Sequence, residues 1–236
     1  MLLFFNVIPQ ECTNVHRSSD RMSRNNLNLE NVLVLAAHTD DGEMGCGGTI
    51  AKILESGASI RYIAFSCAND SLPAEFPKNT LKRELFEATR ILGLKKDDVV
   101  CLDFRVRTFP DHRQKILDEM LKLKNQYDPE AVFCPSLNDL HQDHKVVAEE
   151  ARRMFKRTTI FGYEFPWNNI SFDTQSFVIL DRAHLERKMQ ALRCYKSQAH
   201  REYMNDRFVE SLAIARGVQV NAPYAEAFEV VRLVIR

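Results

Sequence analysis

The sequence predicts an α/β fold, a mostly parallel sheet with helices on both faces. Three observations carry that prediction. Strand-like and helix-like segments alternate from residue 31 onward, the order produced when crossover helices join parallel strands. The first strand, NVLVLAA (31–37), is apolar almost throughout, as a strand covered on both faces must be. Two polar clusters, at 38–41 and 138–144, each follow a strand, and open parallel sheets bind ligands beyond the carboxyl ends of their strands.

The elements follow in order. Residues 47–56 read as a helix stopped by Gly57, and SIRYIAFSC (59–67) as the second strand. In 79–92, Leu81, Leu85, Ala88 and Leu92 recur on one helical face, and Gly93 supplies a C-terminal cap. DVVCLDF (98–104) is the third strand. Residues 111–126 form an amphipathic helix with Ile116, Leu117, Met120 and Leu121 on its apolar side. PEAVFCPS (129–136) is the fourth strand and 143–157 the next helix. TTIFGYEF (158–165), SFVIL (176–180) and FEVVRLVI (228–235) are further strands, with helices near 182–196 and 206–215 between the last two. Residues 9–30 are polar and lack periodicity. The chain thus divides into an extension or linker, 1–30, and a single domain, 31–236.

Composition excludes several classes. A length of 236 residues suits one sizeable core. Basic and acidic residues balance at 32 each, so there is no global nucleic-acid footprint. The densest basic patch, Arg152, Arg153, Lys156 and Arg157, falls on a helix and reads as a solvated face. The six cysteines contain no C-x-x-C pair, which argues against a zinc ribbon or a dithiol redox site. They read as reduced, and the compartment as cytoplasmic. The apolar start MLLFFNVI leaves a signal peptide open, although it has no basic flank and no clear small-residue cleavage site follows. No later run reaches the roughly 18 apolar residues of a membrane span.

The two polar clusters carry the chemistry. Adjacent Asp40 and Asp41 repel, and a cation, a shared proton or open solvent must compensate them. Zinc in catalytic sites takes three protein ligands from His, Asp and Glu. His38, Asp41 and His144 can supply them, leaving Asp40 as a base and His141, with Asp143 orienting or charging it, as a proton or charge donor. The plainer alternative makes Asp40 and Asp41 loop and cap residues of the 47–56 helix, and Asp139 or Asp143 the cap of 143–157. The GCGG run (45–48) lacks the spacing of a dinucleotide fingerprint and suits close backbone packing instead.

AHTDDGEMGCGGTIAKILESG (37–57) resembles the A-H-P-D-D-E motif of the PIG-L/LmbE-like family of zinc-dependent N-deacetylases, and LHQDHKVVAEEAR (140–152) its H-x-D-H motif. ELFEATRILGL (84–94), KMQALRCYKSQ (188–198) and YAEAFEV (224–230) are weaker echoes. The resemblance implies a Rossmann-like three-layer sandwich and removal of an acetyl group from an amino sugar or saccharide conjugate, with acetate released by attack of a zinc-activated water. It implies His38, Asp41 and His144 as zinc ligands, Asp40 as general base, and His141 supported by Asp143 at the tetrahedral intermediate. Another divalent metal fits the same donors.

There are departures. Thr39 replaces the motif proline, and Gly42 stands at the motif glutamate with Glu43 one place later. A substrate-binding arginine found in many members falls here on Leu81, with Lys82 and Arg83 beside it. Candidate substrate contacts are Arg83, Arg105, Trp167 and Glu226. Arg105 and Arg107 can meet a phosphate or carboxylate, or simply be solvated; Trp167 can stack on a sugar or pack. Competing readings are a zinc amidase acting on a thiol conjugate, a non-catalytic binding module of the same fold, and a nucleotide-dependent oxidoreductase. A homo-oligomer is left open.

Overall fold

The computed structural model describes residues 29–235, so the expected extension, apart from residues 29 and 30, lies outside the described residues. A seven-stranded sheet forms the middle layer. In chain order its strands are β1 (Asn31–Ala36), β2 (Ser59–Ala64), β3 (Val99–Cys101), β4 (Ala131–Pro135), β5 (Thr159–Tyr163), β6 (Ser176–Leu180) and β7 (Tyr224–Arg232). Their order across the sheet is β3-β2-β1-β4-β5-β7-β6. The first five run parallel, and β7 pairs antiparallel with both β5 and β6.

Alternation along β1 explains its continuous apolar run. Val32, Val34 and Ala36 point into one core, and Leu33, Leu35 and Ala37 into another, all buried. The first core packs under α1 (Asp41–Glu55), α2 (Thr80–Leu92), α5 (Arg182–Leu192) and α6 (Asp206–Val218). The second packs under α3 (Arg113–Tyr127) and α4 (Gln142–Met154). Helices on both faces make the three layers expected.

Sequence and structure differ most at α1. It begins at Asp41 rather than at 47 and bends at Cys46, whose φ of −147° is not helical. The early start depends on close approach to the sheet. A Cβ on Gly42 would lie 2.4 Å from the Tyr62 ring, and one on Gly45 would lie 2.3 Å from Tyr163. Burial thus outweighs the poor helix propensity of glycine. The bend frees backbone N–H groups, and the Glu226 carboxylate takes two of them, from Gly48 (3.0 Å) and Thr49 (2.6 Å).

A smaller correction concerns the third strand. β3 is only three residues long; the chain then turns away through Arg107, which has φ of 65°. Cys67 and Cys101, in the neighbouring β2 and β3 regions, lie side by side with Cα atoms 6.1 Å apart. Among the described residues no helix is long and apolar enough to cross a membrane.

Candidate metal centre and its cavity

The chain reverses its direction of travel across the sheet at β1, which lies between β2 and β4. The crevice beyond β1 and β4 is therefore the topological switch point. It receives both polar clusters, the 38–41 turn after β1 and residues 136–144, which form the loop before α4 and its first turn. They line one cavity of about 220 Å³, together with Met44, Leu81, Arg107, Phe165, Trp167, Gln198, Arg201 and Tyr203 among others.

Two carboxylates orient the two central imidazoles. His38 Nε2 pairs with Asp143 Oδ2 at 3.0 Å, and His144 Nδ1 with Asp139 Oδ2 at 2.8 Å. With those outer nitrogens donating, the neutral rings present lone pairs at His38 Nδ1 and His144 Nε2. These inner nitrogens are 3.2 Å apart. Asp41 Oδ2 lies 3.4 Å from the first and 3.3 Å from the second. Ligands about 2.0–2.1 Å from a tetrahedral ion lie ~3.3 Å from one another, so this triangle has the dimensions of three sites on one metal.

A wider grouping of His38, His141 and His144 spreads over 4.8 Å. The tighter set is the better cage, because His141 Nδ1 already accepts the Asp143 backbone N–H at 3.2 Å. His141, not Asp143 or Asp139, is the side-chain cap of α4. Asp40 stands at the start of α1 but makes no capping bond, and lines the cavity instead.

Charge follows from this crowding. Burial opposes a charge on His38, but Asp41 and the bond to Asp143 outweigh it and raise its pKa to about 9. His144 is likewise raised to about 10, by Asp41 and Asp139 against burial. Without an ion, protons occupy the convergent lone pairs. The same two imidazoles hold Asp41 well below the ordinary carboxylate range despite its burial. Asp40 is pushed up to about 6 by burial and by its neighbour Asp41. His141 is pushed down to about 4 by burial and by His144 and His38, so it is neutral at neutral pH.

The structure sorts the candidate residues. His38, Asp40, Asp41, His141, Asp143 and His144 come together as expected, with one change of partner. The Asp143 carboxylate acts on His141 through its charge but does not orient it by a hydrogen bond. It accepts from His38 and from the backbone N–H groups of Arg107 (2.6 Å) and Phe109 (3.3 Å). Trp167 lines the cavity, stacked 4.0 Å from Tyr203. The other three candidate contacts stand elsewhere. Arg83 faces a separate surface hollow on α2, and Arg105 is exposed and paired with Asp70 at 2.7 Å. Glu226 is buried at the α1 bend, where Lys188 also holds it at 2.6 Å.

Sequence reasoning missed Asp139 as a histidine partner and missed the supports of the 38–41 turn. The Thr39 carbonyl accepts from Tyr195 Oη at 2.6 Å and contacts Tyr62 Oη at 3.2 Å. Both hydroxyls also meet Glu43, which is fully buried and pushed up to about 8 by that burial. Two tyrosines thus restrain a turn that lacks the motif proline. Nothing in the local pattern announced Tyr62 or Tyr195, which are distant in sequence. The signal available for Asp139 was its spacing of five residues before His144.

Fold and site together define a class, an α/β protein with a histidine-rich candidate metal centre at the switch point of its sheet. Within that class, the chain belongs to the PIG-L family, described as GlcNAc-PI de-N-acetylase, which it matches over residues 33–155. It is similar to the uncharacterized deacetylase YaiS of Escherichia coli K12, with 28% identity over 171 residues, covering 70% of this chain and 90% of that protein. Its fold is similar to that of N,N'-diacetylchitobiose deacetylase from Pyrococcus horikoshii, with a TM-score of 0.69, 22% identity, and 86% and 84% of the two chains covered. The hydratase GalB of Pseudomonas putida KT2440 shares the fold at a TM-score of 0.70 and 20% identity, over 88% and 98% of the chains.

Proposed function

We propose that the protein is a zinc-dependent hydrolase that removes the acetyl group from an N-acetylated amino sugar or saccharide conjugate and releases acetate. The observation that carries this reading is the triangle of His38 Nδ1, Asp41 Oδ2 and His144 Nε2, whose edges of 3.2–3.4 Å match three ligands of a tetrahedral ion. A bound divalent ion supplies a Lewis acid for the acetamide oxygen and acidifies water.

The chain's own residues do the rest. Asp40, half-buried and free of a capping bond, is ionised at neutral pH and takes the proton of the attacking water. His141 accepts at Nδ1, so its neutral ring carries hydrogen at Nε2, which serves the developing oxyanion or the leaving nitrogen. Asp139 and Asp143 are positioning residues that fix the tautomers of His144 and His38. Because the fold also serves a hydratase, the product must be identified directly. The test is metal analysis of protein purified without chelator, with acetate release from N-acetyl sugars. About one zinc per chain, lost together with acetate release in Asp41→Ala, supports the reading. A metal-replete protein that releases no acetate from any N-acetylated saccharide refutes it.

A further inference from the structure

Two arginine side chains on the cavity wall have no part in the reaction outlined above. Arg201 is half-buried and held by a buried relay. Glu84 accepts from Ser197 N (3.0 Å) and Ser197 Oγ (2.6 Å). Gln198 Nε2 donates to Ser197 Oγ at 3.3 Å, and Gln198 Oε1 accepts from Arg201 Nε at 2.7 Å. The guanidinium also stands 5.8 Å from the Tyr203 ring. It lines the same cavity as His38, Asp40 and His144.

Arg107 comes from a different loop. Its left-handed backbone, φ 65°, turns its N–H toward Asp143. Its Nη2 meets only the backbone carbonyl of Asp70, at 3.2 Å, because the Asp70 carboxylate is taken by Arg105. Among the described residues neither Arg107 nor Arg201 forms an ion pair with a carboxylate. Solvation alone does not call for a guanidinium anchored by a buried glutamate, serine and glutamine. Leu81, on the wall of the same cavity, is 2% exposed and offers only an apolar surface.

We propose that Arg201 and Arg107 bind an acidic group, phosphate or carboxylate, on the acetylated saccharide, so that this chain acts on anionic rather than neutral N-acetyl sugars. Guanidinium groups match both oxyanions with paired N–H donors. The proposal rests on the deacetylase reading for its substrate, but its binding test requires no turnover.

Trp167 is the only tryptophan and stacks on Tyr203, beside Arg201. Its fluorescence in the metal-loaded protein reports binding. The probes are N-acetylglucosamine 1-phosphate, N-acetylmuramic acid and neutral N-acetylglucosamine. One or both acids should bind ~tenfold or more tightly than the neutral sugar, the scale of a charge-assisted contact. The tighter acid identifies phosphate or carboxylate as the source. Arg201→Gln should remove that preference while leaving the neutral sugar's affinity unchanged. Arg107→Gln should reduce it, and Arg201→Lys should restore part of it. Equal binding of acids and neutral sugar, no saturable signal with either acid, or equal weakening of all three probes in Arg201→Gln would overturn the proposal. A protein that prefers the acids yet releases no acetate would sink the deacetylase reading alone.

Discussion

Two buried charge clusters flank the bent helix α1, and they differ in how they are satisfied. At the bend, Glu226 receives the N–H groups of Gly48 and Thr49, the Thr49 hydroxyl at 2.6 Å and the Lys188 ammonium at 2.6 Å. Its charge is matched by a cation and its lone pairs by donors. At the helix start, Asp41, Asp139 and Asp143 surround only two imidazoles, and three acceptor atoms converge on one point. The first cluster is complete as it stands and acts as scaffold. The second leaves its centre to be filled from outside the fold, by protons or by a cation. Burial and charge are common to both, so neither marks a site. The imbalance does.

The largest effect should come from the unbalanced cluster. Asp40→Asn should lower acetate release ~10²–10⁴-fold, the usual scale of a general base, while metal content stays at the wild-type value. Near-native turnover would remove Asp40 from the reaction. The balanced cluster should answer differently. Lys188→Met leaves the Glu226 carboxylate buried without its cation and should cost about 3–5 kcal/mol of stability. Chemical denaturation measures that loss, and metal content per folded molecule should not change. If Lys188→Met lost metal in step with stability, the two clusters would be one unit and the distinction would fail.

A smaller effect separates ligands from the groups that orient them. Asp139→Asn keeps a hydrogen-bonding side chain but not the charge beside His144 Nδ1. It should weaken metal binding ~10–100-fold rather than abolish it. Competition with a chelator measures this, and affinity equal to wild type would leave Asp139 as merely the support of the His141 backbone N–H, which it accepts at 2.7 Å.

Much of this organisation was legible in the chain. β1 could be read because it is covered on both faces, and both clusters could be placed because parallel strands send their carboxyl ends to one side. What could not be read depends on contacts distant in sequence. The start of α1 at Asp41 requires Tyr62 and Tyr163 to receive Gly42 and Gly45. Glu226 looked like a substrate contact in the sequence, yet it serves the bend at Cys46, 180 positions away in no local pattern. Arg105 and Arg107 read alike, until Asp70 claimed the first and left the second on the cavity wall. Periodicity encodes which face is buried; it does not encode which buried polar group meets which.

The last prediction uses pH to tell protons from metal in the unbalanced cluster. In the metal-free protein His38 and His144 are raised from 6.5 to about 9 and about 10. A raised folded-state pKa means the fold favours the protonated ring. That stabilisation is fully present below pH 6.5 and is lost as pH rises through 9 and then 10. Asp40 and Glu43, raised to about 6 and about 8, act in the same direction, but their loss is largely complete by pH 8. The melting temperature of the metal-free protein should therefore fall between pH 6.5 and 10, with the decline between pH 8 and 9 owed mainly to the histidines, before the buried thiols of Cys46 and Cys134, raised by burial, add to it. Metal holds both rings neutral, so the metal-loaded protein should lose that part of the decline. For the same reason metal uptake at pH 7 should release protons, and affinity should rise with pH until the rings give up their protons unaided. Parallel melting curves for the two forms across this range, with no proton release on metal uptake, would mean that the ion binds away from His38 and His144.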